Sequence, residues 1–237
     1  MPFKDRQNLA QEIAEHIGEK IIRMEMAPGE RIMEARISEE FNVSRSPVRE
    51  AMRILERFRL VELNPRRGAT VTQMSEQYVG WLFDIMSDLL CLTARLCAEN
   101  RTPEQLERLI EHEKAAAALA ADGDSAGYLR AFYETSPTAL KATGNPLLGQ
   151  VINDWIPSLR RAYFLSLSHS TYSLQESAAT MRRIIQHIAK GNPDAAAKTM
   201  QSLVRAEKKR VLDILRGHPV LDSGQVRDRG IPPLRLG

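Results

Sequence analysis

At 237 residues the chain is long enough for two domains of ordinary size, and a composition 43% apolar and 27% charged is that of a folded protein, not a disordered one. No run approaches the roughly 18 to 20 apolar residues of a membrane helix, and the opening residues lack the apolar stretch of a signal peptide, so a soluble, cytoplasmic protein is expected. The net charge of +3 is too small to name a partner, but positions 44 to 68 alone hold seven arginines against three glutamates.

The first helix is predicted over about residues 8 to 25, where Leu9, Ile13, Ile17 and Ile21 recur every four positions ahead of the breaker Ala27-Pro28-Gly29. A short second helix follows from about Met33 to Phe41. Ser44 then offers an N-cap and Pro47 falls in the first turn, where its missing N–H costs little, so a third helix starts near Arg45. Its apolar positions Val48, Ala51, Met52 and Leu55 line one face, which must pack on the first two helices, while Ser46, Arg49 and Arg53 lie opposite. Next come Leu60-Val61-Glu62-Leu63, a polar turn Asn64-Pro65-Arg66-Arg67-Gly68, and Ala69-Thr70-Val71-Thr72, which read as a two-stranded hairpin with a basic tip.

Beyond Met74 only helix signals remain, about six helices up to residue 216. Thr102-Pro103-Glu104-Gln105 and Ser173-Leu174-Gln175-Glu176 have capping-box spacing; Asp124, Pro146 and Asn192-Pro193 mark starts, and Gly123, Gly144, Gly191 and Gly217 mark stops. The expected division is a domain of three helices and a hairpin over 1–74, a helical domain over 75–216 and a loose tail over 217–237. Cys91 and Cys97 match neither redox nor zinc spacing and read as buried thiols. His16, His112, His169, His187 and His218 are scattered and read as surface or capping residues.

Three short helices followed by a hairpin suit duplex DNA, because the third helix fits the major groove and the hairpin tip reaches an adjacent groove or the backbone. Arginine's planar fork bonds guanine O6 and N7 or a phosphate, and serine hydroxyls bond phosphate oxygens. A solvated, charged helix face would show the same charges. The stretch Pro28-Gly29-Glu30-Arg31 through Ser38-Glu39-Glu40-Phe41-Asn42-Val43-Ser44-Arg45-Ser46-Pro47-Val48-Arg49-Glu50-Ala51 resembles the winged-helix signature of the GntR superfamily of regulators over about residues 8 to 72. That resemblance implies DNA contacts at Arg36, Ser44, Arg45, Ser46 and Arg49, and at the wing tip Arg66, Arg67 and Gly68. Arg45 and Arg49 are the expected base readers, and Gly68 lets the backbone turn tightly.

The helical part resembles the FadR-type branch and its FCD effector domain, through Ala131-Phe132-Tyr133 followed by Gly144-Asn145-Pro146. The fold so implied is mostly α: a winged helix-turn-helix of three helices and a two-stranded wing, then an all-helical effector-binding bundle. Many members carry Asp-x-x-Phe-His and two later histidines that bind a divalent metal. The corresponding positions here are Leu129, Tyr133, Met181 and Leu203, which offer no carboxylate or imidazole. No metal and no cofactor are therefore expected. The family's acid-binding arginine corresponds to Ser87 and its usual glutamate partner to Cys91, so a carboxylate effector is not implied. The expected effector site comprises Ser87, Leu129, Tyr133, Arg160, Met181 and Leu203, and takes a largely apolar or neutral ligand held by the Tyr133 hydroxyl. Arg160, Arg161 and Tyr163 offer further polar contacts, with at least one of the arginines expected at the surface.

The expected function is a homodimeric regulator that binds a palindromic operator under control of a small-molecule metabolite, with no membrane partner. The alternative is a dimeric DNA-binding regulator whose C-terminal domain is vestigial and ligand-independent. No nucleophile motif, phosphate loop, HExxH spacing or carboxylate pair points to an enzyme.

Overall fold

The computed structural model describes residues 3–65, 68–168 and 174–217. The N-terminal head contains helices α1 (Phe3–Ile22), α2 (Glu34–Glu40) and α3 (Arg45–Arg57) and strands β1 (Arg31–Ile32), β2 (Val61–Asn64) and β3 (Gly68–Val71). Ile13, Ile17 and Ile21 of α1 are buried against α3, as their fourfold spacing requires. The first helix begins and ends earlier than the periodicity predicts, because the chain leaves it at Met24, which takes a left-handed φ of 59°, before the Pro28-Gly29 turn is reached. Asn42, also left-handed (φ 51°), makes the tight turn between α2 and α3, and the Val43 amide donates to the Ser38 carbonyl at 2.9 Å.

The wing is three-stranded, not two-stranded. β3 lies between β2 and β1, antiparallel to both, with Leu63 opposite Ala69, and Arg31 opposite Thr70. A two-residue strand between a Pro-Gly turn and a helix has no alternation long enough to read from sequence. It clamps the wing to the start of α2. Val61, Ala69 and Val71 face inward and bury the wing's base.

Six helices follow: α4 (Glu76–Asn100), α5 (Pro103–Ala121), α6 (Ser125–Ala142), α7 (Pro146–Ser168), α8 (Leu174–Ala189) and α9 (Pro193–Gly217). Thr102 and Gln105 form the reciprocal capping box at α5, and Asp124 accepts from the Gly127 amide at α6. Ser173, proposed from sequence as a cap, lies outside the described residues, as do the wing-tip residues Arg66 and Arg67, His169, and the segment 218–237 that holds His218. Gly217 itself closes α9 and does not belong to a tail. α4 and α9, each 25 residues and about 37 Å long, lie along one another as the spine of this domain. α6 and α7 carry prolines in their interiors, Pro137 and Pro157. The head and the helical domain meet where α7 touches α1, the end of α3 and the segment after β3.

Candidate nucleic-acid interface and ligand cavity

Helix α3 divides sharply into two faces. Val48, Ala51 and Leu55 are fully buried and Met52 is 1% exposed, whereas Arg45, Ser46, Arg49 and Arg53 stand in solvent. Burying the larger of these apolar side chains contributes roughly 1.5 to 3 kcal/mol each, which holds the helix down with its polar face outward. Ser44 occupies the N-cap position expected of it, yet its side chain caps no amide and remains exposed at the positive end of the helix dipole. Arg36 projects into solvent from α2, and among the described residues neither Arg36 nor Arg45 makes an ion pair. Arg49 is different: its Nε lies 3.4 Å from a Glu34 carboxylate oxygen across α2, and Arg53 pairs with Glu50 at 3.2 Å. Gly68 opens β3 with φ 75°, the left-handed turn assigned to it, in open space. The exposed Ser44, Arg45, Ser46 and Arg49 thus gather in the first turns of α3, and Arg36 is exposed on the neighbouring α2.

In the helical domain a cavity of about 90 Å³ is lined from all six helices, α4 to α9. Tyr133 and Met181, two of the six proposed effector residues, line it. The other four do not. Leu129 and Leu203 are core residues at 2% and 4% exposure, Ser87 stands beside the Cys91 thiol on α4, and Arg160 packs its guanidinium over the Tyr133 ring at 5.3 Å. The rest of the wall is mostly apolar, with Met86 and Leu90 from α4, Ile152 and Ile156 from α7, and Met200 from α9, beside the hydroxyl residues Thr93, Thr135 and Ser136. These residues recur at ordinary helical spacing, so nothing in the sequence separates cavity wall from solid core. The wall hydroxyls of Thr93 and Thr135 are spent on the carbonyls of Leu89 and Ala131 in their own helices.

The Tyr133 hydroxyl is sealed from solvent and makes no hydrogen bond among the described residues. Burial pushes its pKa well above the ordinary phenol value, with Arg160 opposing weakly, so it stays a protonated donor. No group of three or more His, Cys, Asp or Glu side chains is placed to hold a metal among the described residues. Cys97 is buried, with its thiol raised to about 12 by desolvation, but Cys91 is only half-buried, a correction to its reading as a core thiol. The expectation that at least one arginine of the Arg160-Arg161 pair reaches the surface is also overturned. Arg160 is 7% and Arg161 1% exposed, because one covers the Tyr133 ring and the other reaches into the junction with the head, where its Nη1 donates to the Thr72 carbonyl at 2.7 Å.

A winged helix with an outward Ser/Arg face, joined to a helical domain with an internal cavity, defines a ligand-responsive transcriptional regulator. Residues 9–71 match the family model described as bacterial regulatory proteins, gntR family, and residues 82–206 match the FCD domain. The chain belongs to the GntR family of transcriptional regulators, in the branch that carries an FCD domain. The uncharacterized HTH-type transcriptional regulator YdhC of Bacillus subtilis is 30% identical over 173 residues, 71% of this chain and 75% of that one. The HTH-type transcriptional repressor NanR of Cronobacter sakazakii is 28% identical over 226 residues, 83% of each. Among solved structures, E. coli McbR/YncC matches with a TM-score of 0.72 at 16% identity, covering 86% of this chain and 97% of that one, which is a likeness of fold. No described helix is long and apolar enough to cross a membrane.

Proposed function

We propose that the chain acts in the cytoplasm, not as an enzyme but as a homodimer that reads a palindromic operator with Arg36, Ser44, Arg45, Ser46 and Arg49 and with the wing tip at Arg66, Arg67 and Gly68. The observation that carries this reading is the two-faced α3, whose arginine face is exposed while its other face is closed to solvent. Arg45 and Arg49 read base edges; Ser44, Ser46 and the wing tip hold phosphates. A twofold protein supplies two such heads, and the exposed apolar side chains Trp81, Ile85 and Leu92, spaced four and seven apart along one face of α4, support self-association there. Sedimentation of the unaltered chain against Trp81→Glu tests that face. A dimer is expected for the first and a shift toward monomer for the second.

The effector enters the cavity beside Tyr133 and Met181. A wall this apolar, with one unpartnered phenol donor, selects a small neutral molecule with an apolar body and a single acceptor such as a carbonyl or ether oxygen. With Leu129, Tyr133, Met181 and Leu203 standing where relatives hold metal, no divalent ion takes part, and purified protein is expected to carry none in stoichiometric amount. About one Zn, Ni or Mn per chain by elemental analysis would contradict this. DNA binding itself is tested with a duplex selected from a random library by the chain. The logarithm of affinity should fall with the logarithm of salt at about 0.9 per phosphate neutralised, and a flat dependence would contradict duplex DNA as the partner.

A further inference from the structure

Helix α7 both walls the cavity and grips the head. Ile152, Ile156 and Leu159 face the cavity. On the far side of the same two turns, the Ser158 hydroxyl lies 3.0 Å from the Phe58 carbonyl and 3.2 Å from the Arg59 carbonyl, and the Tyr78 hydroxyl donates to Ser158 at 3.4 Å. Asp154 pairs with Arg57 at 3.4 Å, and Arg59 lies over the Trp155 ring at 5.2 Å. Phe58 and Arg59 end the DNA-reading helix, and Arg59 is held at φ 59°, a conformation a long side chain keeps only where its surroundings impose it. One turn further, Arg161 donates to Thr72, immediately after β3.

Two features make this contact movable. Pro157, inside α7 between the cavity-facing and head-facing residues, has no N–H, so the ladder is broken there and the helix is soft. Arg161 is buried with no acidic partner among the described residues, which leaves a charge held by a carbonyl where water would solvate it better. The docked junction therefore encloses a charge that entering water would solvate. The cavity itself is smaller than the roughly 150 Å³ that accommodates benzene, so a metabolite must displace a wall. Two of the cavity's walls, α6 and α7, are interrupted by a proline, Pro137 and Pro157, and of these two α7 is the one that grips the head, so a displacement of α7 is the one that reaches α3.

We propose that α7 is the coupling element of this regulator: a ligand that enlarges the cavity displaces α7, and Ser158 and Arg161, as positioning residues, pass the displacement to the end of α3 and to Thr72. The proposal rests on the effector reading above. It makes the grip of Ser158 on the end of α3 the point where cavity occupancy becomes head geometry.

Hydrogen–deuterium exchange on the full-length chain tests this, read in peptides spanning residues 55–62 and 70–78 for the unaltered protein, Ala94→Leu, Ser158→Ala and the double variant. Ala94 lies on the cavity wall, so leucine there fills the space without a ligand. Ala94→Leu should speed exchange in both peptides about three- to tenfold, and Ser158→Ala should do so by a similar factor in the first. The double variant should exchange no faster in residues 55–62 than Ser158→Ala alone, since the link is already cut. Benzene added to the unaltered chain needs more room than the cavity offers and should give the same acceleration, which covers the case of a misfolded Ala94→Leu. Junction peptides that exchange at the unaltered rate while α4 or α6 changes, or effects of the two substitutions that multiply in the double variant, would overturn the proposal. Because exchange is read without DNA, a chain that bound no duplex would defeat the operator reading and leave this result standing.

Discussion

On α3 of the head, Ser46, Arg49 and Arg53 stand in solvent while Val48, Ala51, Met52 and Leu55 hold the helix in place; in the helical domain, Tyr133 and Met181 face inward on a cavity that shares its side chains with the core. On the proposed reading the head keeps binding and folding on opposite faces of one helix, where mutation can separate them. The helical domain mixes them, because a side chain that touches the ligand also closes the core. A substitution's effect on stability and its effect on function should therefore be independent in the head and coupled in the helical domain.

The largest effect should come from the inner face of α3. Leu55→Ala, at a fully buried site, should cost about 2 to 5 kcal/mol of head stability in thermal or denaturant unfolding. A cost below about 1 kcal/mol would mean that this face is not the head's core. On the outer face, Arg45→Ala or Arg49→Ala should leave stability within about 0.5 kcal/mol and weaken binding to a selected duplex by about 1 to 3 kcal/mol, relaxing preference at one base position. Equal loss on all sequences would reassign that arginine to phosphate contact. Arg49 is the sharper case, since it must leave Glu34 to reach a base.

In the helical domain, Tyr133→Phe removes a buried hydroxyl that has no hydrogen bond among the described residues. It should raise stability by about 1 kcal/mol while abolishing the response to effector. A variant less stable than the parent, with its response intact, would break the contrast between the domains. The smallest effect concerns Glu40, whose carboxyl is held below its ordinary 4.5 chiefly by the hydrogen bond from Lys20, with burial opposing and His16 assisting. A carboxylate with a depressed folded pKa stabilises the fold above its unfolded pKa, and that contribution is lost as pH falls through the folded value. Between pH 4.5 and the acid limit, Glu40→Gln should flatten the stability profile of the head by less than about 0.5 kcal/mol, since the pair is solvent-exposed.

How much was legible in the sequence follows the same divide. The start of α3 at Arg45 is written locally, in Ser44, Pro47 and a four-residue apolar stripe, as is the cap at Thr102. Strand β1 was missed because two residues carry no period. Of the expected effector residues, Tyr133 and Met181 reach the cavity, but Leu129 and Leu203 lie in the core and Ser87 beside a neighbouring thiol, since whether an apolar helix position faces a void depends on how six helices close around it. The junction was missed altogether. Tyr78 and Ser158 carry no signal in the sequence, and the one available signal is the charged pair Arg160-Arg161 beside the apolar run Ala162-Tyr163-Phe164-Leu165, of which the sequence reading places at least one arginine at the surface.

The central claim is that occupancy of the helical domain sets the affinity of the head for DNA. It is tested most directly by anisotropy titration of the library-selected duplex, at fixed salt, with and without a saturating amount of the compound that most raises the melting temperature of the chain in a metabolite screen. Coupling of the usual 1 to 3 kcal/mol predicts a change in affinity of about 5- to 150-fold. The same affinity with and without a compound that demonstrably binds would contradict the account and favour a helical domain that only pairs two heads.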